Sequence, residues 1–179
     1  NEEGKVNVSD LASHLDDETI IVSIMSVNNE TGAINDMEAI SQLLQQFPKC
    51  FFHSDVTQAV AKTNLDYSLF DAFSFSAHKI NGLKGSGALI VKKTIAVKPL
   101  IEGGNYEYGW RAGTPDSPKN IVLATTLKLA FSNHVSKLEI IRNMSHQLRT
   151  YLLNHPLILV NNSDQSLPHI VNFSLKKHK

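Results

Sequence analysis

The sequence predicts an α/β protein, with a mainly parallel sheet and flanking helices, followed by an incomplete α+β unit. Three observations lead there. Residues 19–27 (TIIVSIMSV) are apolar and β-branched nearly throughout, the pattern of a strand covered on both faces. Strand-like and helix-like stretches then alternate, which implies right-handed crossovers between parallel strands. From residue 118 a long helical pattern replaces that alternation. A first unit is therefore expected at 1–117 and a second at 118–179.

Each element has its own signal. Ser9 reads as the N-cap of a short helix running to Leu15. Asp16, Asp17 and Glu18 form a solvated turn before the strand at 19–27. The polar stretch 28–32 (NNETG) is a loop. Between Asp36 and Phe47, Met37, Ile40, Leu43, Leu44 and Phe47 recur at helical spacing, and Pro48 ends the helix. Residues 50–55, 70–76 and 87–91 read as three further strands, the last after the Gly-rich loop 82–85. Residues 103–118 are rich in Gly and Pro and form a long functional loop. A helical pattern covers 120–151, with one stripe of Ile121, Leu123, Ala124, Leu127 and Phe131. A second stripe holds Leu138, Ile141, Met144, Leu148 and Leu152. Residues 157–160 and 169–175 close the pattern as two short strands, the second stopping in the basic run 176–179.

Composition narrows the function. The 179 residues carry 17 Lys and Arg against 17 Asp and Glu, a formal charge of zero. That balance argues against a general binder of nucleic acid or acidic membranes, which needs a positive excess. The lone cysteine, Cys50, excludes an intrachain disulfide and a multi-cysteine metal cage, and it fits a reducing compartment. No apolar run approaches the roughly 20 residues of a membrane span. The chain opens at Asn1 without an initiator Met and ends at Lys179. Both ends are expected to lie inside a longer protein.

In α/β sheets the chemistry gathers at the carboxyl ends of the strands. The stretches around Asn28, Asp55 and Ala77 sit at such ends. Lys79, after a buried strand and before a Gly-rich loop, is placed to be desolvated, which frees its amine to form a Schiff base with an aldehyde; the alternative is a solvated loop lysine. Asp55 is suited to sit beneath a pyridinium nitrogen and keep it protonated, or simply to cap a turn. Gln58 lies three residues on, and Asn29 occupies the first of the strand-end loops. Ser76 and His78 flank the lysine and can donate to phosphate oxygens, as can Thr114 in the run Arg111-Ala112-Gly113-Thr114. A metal reading, with His53 and Asp55 sharing a strand face and His78 joining them, is a weak zinc signal without cysteines.

Four blocks carry a resemblance. They are 22–32 (VSIMSVNNETG), 52–60 (FHSDVTQAV), 74–89 (SFSAHKINGLKGSGAL) and 111–114 (RAGT). In order and spacing they resemble the NifS/IscS-like cysteine desulfurases of the class V aminotransferase family, which use pyridoxal 5'-phosphate on the type I fold. The resemblance implies that residues 1–117 are part of that fold's large domain and 118–179 part of its small domain. It implies that Lys79 carries the cofactor, Asp55 pairs with the ring nitrogen, and Asn29 and Gln58 contact the ring's phenolic oxygen. Ser76 and His78 would hold the phosphate, and Thr114 would serve the phosphate site of the neighbouring subunit of a homodimer. The implied reaction converts L-cysteine to L-alanine and passes the sulfur to an enzyme thiol as a persulfide, then to an acceptor or scaffold protein. Iron–sulfur cluster assembly in the cytoplasm is one such route.

The departures matter equally. The family's sulfur-accepting cysteine lies beyond the stretch matched here, and Cys50, within an apolar segment, reads as a buried core thiol. Its earlier cofactor-binding segments are also absent, and Asn105, Tyr106 and Tyr108 stand where the family usually has Gly, Gln and Arg. A fragment lacking those parts is expected to be inactive alone and to self-associate through uncovered apolar faces. A selenocysteine lyase or other class V enzyme, and a non-catalytic scaffold of the same fold, are the alternatives.

Overall fold

The computed structural model describes residues 1–132 and 134–176. In chain order the elements are α1 (Val8–Ser13), β1 (Ile21–Ser23), α2 (Met37–Leu44), β2 (Phe51–Asp55), β3 (Ala72–Ser76), β4 (Gly87–Val91), α3 (Ser117–Ser132), α4 (His134–Leu153), β5 (Ile158–Val160) and β6 (Phe173–Leu175). Short 3-10 turns lie at Tyr67–Leu69, Ala77–Ile80 and Glu107–Gly109. The basic run expected at the carboxyl end lies outside the described residues beyond Lys176.

The first four strands form one sheet in the order β1-β2-β3-β4. β1, β2 and β3 run parallel, and β4 returns antiparallel to β3. The α/β expectation therefore holds. β1 is shorter than the apolar run 19–27, but its ladder continues: the N–H of Ile24 donates to His53 O at 3.1 Å and that of Ser26 to Asp55 O at 3.0 Å.

One face of this sheet is buried. Val22, Phe52 and Ser54 point toward α2, where Met37, Ile40 and Leu44 meet them together with Val56 and Phe70. Phe52 and Phe70 pack edge to face with centroids 5.1 Å apart, a preferred aromatic arrangement. Under the same face, Ser26 Oγ and Ser54 Oγ share a hydrogen bond of 2.7 Å, so neither buried hydroxyl is orphaned. The opposite face is open. Ile21, Phe51 and Leu89 are each about half exposed, which corrects the expectation of a strand covered on both sides.

The helix starts also differ from the sequence reading. Asn7, not Ser9, caps α1: its Oδ1 accepts from the N–H of Ser9 and of Asp10. Asn at this position is as good a cap as Ser, and the choice lay with the residue already in extended backbone. Asp36 caps α2 by accepting from Ala39 N–H at 2.9 Å. The helical pattern at 120–151 resolves into α3 and α4. Of the first stripe, Leu123 and Leu127 pack on the core, while Ile121 and Phe131 face solvent.

The carboxyl-terminal segment docks on the loop after β1. β5 and β6 pair antiparallel. Only 173–175 of the expected strand 169–175 is regular, because Leu167 N–H donates instead to Gly32 O at 2.8 Å and Ile170 N–H turns back to Leu167 O. Leu167 itself joins the buried core. Asn162 is the clasp: its amide donates to the Thr31 and Ile170 carbonyls and its Oδ1 accepts from Asn172 N–H. Arg149 of α4 holds the same segment through Asn162 O at 3.2 Å and Asp164 at 2.8 Å. Replacing Asn162 with Ala leaves these groups unpaired in a buried position. We expect Asn162→Ala to lower stability by about 2–3 kcal/mol in urea unfolding and to loosen the 28–32 loop, seen as faster amide exchange there.

Candidate active site

The carboxyl ends of β1, β2 and β3 present three segments side by side. After β1, Asn28 folds the 28–32 loop by accepting from Glu30 N–H at 2.8 Å and Thr31 N–H at 2.9 Å through its side chain, an Asx turn. That turn leaves Asn29 exposed at the tip, its amide on Glu30 at 3.0 Å. After β2, Asp55 accepts from Thr57 N–H at 2.8 Å, and the chain winds into a helical turn in which Val60 N–H returns to Val56 O. This buries Gln58, Ala59 and Val60. Ala61 adopts a left-handed backbone (φ 55°) before Lys62.

After β3 comes the turn bearing Lys79. Thr57 Oγ1 accepts from Ser76 N–H at 3.1 Å, joining the second and third segments. Ala77 and Ile80 point inward and are buried, so the two residues between them, His78 and Lys79, point outward. Asn81 (φ 67°) closes the turn in the left-handed region. Gly82 follows with its N–H on Ala77 O at 2.9 Å. A Cβ there would lie 2.7 Å from the Ala77 Cβ, so the turn closes this tightly only with glycine.

A cavity of about 590 Å³ opens against these segments. Asn29, Gln58, His78 and Lys79 line it, so four of the predicted site residues come together. Asp55, Ser76 and Thr114 are not among the lining residues. Asp55 is exposed on the open face of the sheet, and Thr114 is exposed in the loop before α3. The far wall comes from α3 and α4, through Leu129, His134, Lys137 and Ile141, and from His169 and Ile170. The metal alternative gains nothing here. His53 is engaged by Ser23 Oγ at 2.8 Å and Ser74 Oγ at 3.1 Å, and the described residues hold no group of three metal-ligating side chains.

Two residues of this cavity were missed in the sequence. Lys62 is half-buried and donates to Gln58 Oε1 at 3.4 Å. Burial, and then the charge of Lys79, push its amine down to about 8. His169 has a buried Nε2 with no hydrogen-bond partner. Burial, and then Lys62 and Lys79, lower its imidazole to about 4. Neither carried a signal of its own: Lys62 sits in an ordinary turn sequence, and His169 lies 90 residues from Lys79 in a stretch read as strand. Cys50, by contrast, is buried as expected, and burial raises its thiol above the ordinary range, which keeps it unreactive.

The strand ends of this parallel sheet thus present a lysine at a ligand-sized cavity, the usual place for a site in an open α/β sheet. The comparisons give the family. The aminotransferase class-V model matches residues 1–179, and the chain belongs to that family. It is 36% identical over 179 residues to a protein named cysteine desulfurase IscS from Clostridium botulinum strain Kyoto, covering 97% of this chain and 45% of that one. A NifS/IcsS protein homolog from Lactobacillus delbrueckii subsp. bulgaricus matches at 36% identity over 97% of this chain and 46% of its own length. Among solved structures, a NifS-like protein superposes with a TM-score of 0.93 at 29% identity, over 97% of this chain and 48% of that one. The chain thus spans about half the length of the curated relatives it matches.

The family depends on pyridoxal 5'-phosphate, and the residues present fit that group. The cavity offers an outward lysine, the buried amide of Gln58, an exposed amide at Asn29 and the imidazole of His78 around an opening of suitable volume. No helix among the described residues is long and apolar enough to cross a membrane.

The charge arrangement sets a pH dependence. His169 regains its proton near pH 4 in the fold and near 6.5 when unfolded. In that window the unfolded state binds more protons, so stability is full above about 6.5 and falls as the pH drops toward about 4. Urea midpoints measured across this range should decline for the native sequence and flatten for His169→Gln. Lys62→Met, which removes a cation facing the ring, should raise the His169 pKa in an NMR titration.

Proposed function

We propose that the protein carrying this chain is a pyridoxal-phosphate-dependent cysteine desulfurase, and that this stretch supplies its lysine-bearing half. The observation behind the reading is the placement of Lys79 on an outward turn, beside Gln58, Asn29 and His78, at one cavity. The relatives named cysteine desulfurase support the substrate.

When bound, the cofactor supplies an electron sink for the electrons released at the substrate's α-carbon. Lys79 would anchor it, and its amine is the base placed to carry the substrate's α-proton. Asp55 would pair with the ring nitrogen. Gln58 and Asn29 donate to the phenolic oxygen, and His78, Ser76 and the neighbouring subunit's Thr114 position hold the phosphate. A thiolate outside this stretch attacks the cysteine sulfur. The carbon–sulfur bond breaks, the thiol becomes a persulfide, and alanine leaves with the proton returned to carbon. Cys50 is excluded from that role by its burial. The working protein is a homodimer in the cytoplasm that hands sulfur to an acceptor or scaffold protein, with iron–sulfur cluster assembly as the destination. This stretch alone turns over no cysteine.

The test is spectroscopic and chemical together. With pyridoxal phosphate the protein should develop a visible absorbance band that Lys79→Ala abolishes, and alanine formation from L-cysteine should fall at least about a thousandfold in that variant. A band that survives Lys79→Ala, or alanine and sulfide production by the 179-residue chain alone, contradicts the corresponding part of the reading.

A further inference from the structure

The loop that carries Asn29 is held from two sides. From within, the Asn28 side chain takes the N–H groups of Glu30 and Thr31. From outside, three successive carbonyls accept from one distant segment. Glu30 O accepts from the Asn172 amide at 3.1 Å, Thr31 O from the Asn162 amide, and Gly32 O from Leu167 N–H at 2.8 Å. The two segments meet at a glycine: Gly32 has φ 71°, and a Cβ there would lie 3.1 Å from the Ile170 Cβ. The clasping amides are themselves oriented. Asn161 donates to Asn172 Oδ1 at 2.6 Å, which turns the Asn172 amide N–H toward Glu30 O, and Asn162 Oδ1 accepts from Asn172 N–H. Asn162 is buried, so water competes little for its bonds. Asn29 stands at the tip between these two sets of bonds and lines the cavity. One N–H of its amide goes to Glu30 at 3.0 Å, and an amide has a second.

We propose that Asn162 and Asn172 are positioning residues for Asn29: by holding the 28–32 loop through its carbonyls, they aim the Asn29 amide into the cavity. The Asn29 side chain is exposed, so its direction follows the backbone that carries it. Asn28 fixes the shape of that turn. Its place relative to the turn bearing Lys79 is fixed by the segment clasped across it. Ile170, whose carbonyl also accepts from the Asn162 amide, lines the same cavity, so one clasp sets both the tip and the facing wall. On the desulfurase reading, on which the identity of the ligand atom rests, the Asn29 amide donates to the cofactor's phenolic oxygen. A donor there favours the form with more negative charge on that oxygen, and so lowers the pH at which the bound group loses its proton. Asn162 and Asn172 act on that pH without touching the cofactor.

The experiment records visible absorbance against pH for the protein loaded with pyridoxal phosphate. Without cofactor, it records amide exchange at 28–32 and the NMR signal of the Asn29 side chain. The variants are Asn29→Ala, Asn172→Ala and Asn162→Ala, none of which changes a charge. Asn29→Ala should raise the absorbance midpoint by at least about half a pH unit. Asn172→Ala and Asn162→Ala should also raise it, speed exchange at 28–32 at least about threefold, and move the Asn29 signal. In an Asn29→Ala background neither should raise the midpoint further, because both act through that one amide. Thermal melts verify that each variant folds. Should Asn162→Ala fail to fold, Asn172→Ala decides, since its bond to Glu30 O is exposed. A native midpoint in Asn172→Ala overturns the proposal. So does a rise that persists in the Asn29→Ala background, or an Asn29→Ala midpoint that does not move. Native alanine formation beside any of these results spares the desulfurase reading. Should no Lys79-dependent band form, the cofactor reading falls and the cofactor-free measurements decide. An Asn29 signal and 28–32 exchange unchanged in Asn172→Ala then overturn the positioning, and changes in both support it. The expected midpoints in a protein that makes no alanine from cysteine support the positioning and remove the desulfurase reading.

Discussion

The parallel ladder from β1 to β3 sets the height of every group proposed for chemistry. Ile24 and Ser26 bond to the backbone of β2, and Val56 N–H bonds to Ser74 O at 2.9 Å, so the three chain segments leave the sheet at one level. What holds that level is the packing of a single face. Val22, Phe52 and Val56 are buried against Ile40 and Phe70, and a one-residue slip of any strand would turn its buried residues to the open side. Asn29, Gln58 and Lys79 are too far apart in sequence to be related by local structure. Their juxtaposition is a property of the register alone, and mutations in the core beneath β2 will therefore act on the site as geometry before they act as lost stability.

The cavity above that ladder is organised by repulsion. Lys62, Lys79 and His169 face one space without a carboxylate, and two of them shift downward through burial and one another's charge. Holding cations together costs free energy that the empty fold must supply through packing, for instance the Asn162 clasp that brings the 162–172 segment against Thr31. Two kinds of burial thus coexist. At Cys50 it suppresses reactivity, and at Lys62 and His169 it lowers the proton affinity of two nitrogen bases.

Much of this was legible in the sequence, and the exceptions share one cause. Strands β2 and β4 and the helix capped by Asp36 were visible because their signals are local, in apolar period, caps and glycines. The loops that carry Asn29, Gln58 and Lys79 were placed correctly because strand ends in an α/β sheet are predictable sites. Lys62 and His169 were not, since their importance arises only when the chain end folds back onto the 28–32 loop. The sequence pattern reads His169 as the start of a strand. Just ahead of it, Leu167 N–H bonds to Gly32 O, a contact across 135 residues that no local pattern announces. The covered β1 strand failed for the same reason. Its composition describes a strand buried on two faces, and the described residues cover one.

That open face bears on the chemistry. The chain exposes 12140 Å², where a compact protein of 19.8 kDa exposes about 8,600 Å². Part of the excess is the sheet face carrying Ile21, Phe51 and Leu89, and Asp55 stands on that same face. A carboxylate in water attracts a pyridinium only weakly, by about 1 kcal/mol at 4 Å, and several times more strongly once water is displaced. A surface that covered Phe51 and Leu89 would also exclude solvent around Asp55, which shares their face. Under the role proposed for Asp55, burial of the apolar strand residues and strengthening of its pairing would be one event, so the strand composition and a dry carboxylate have the same physical solution.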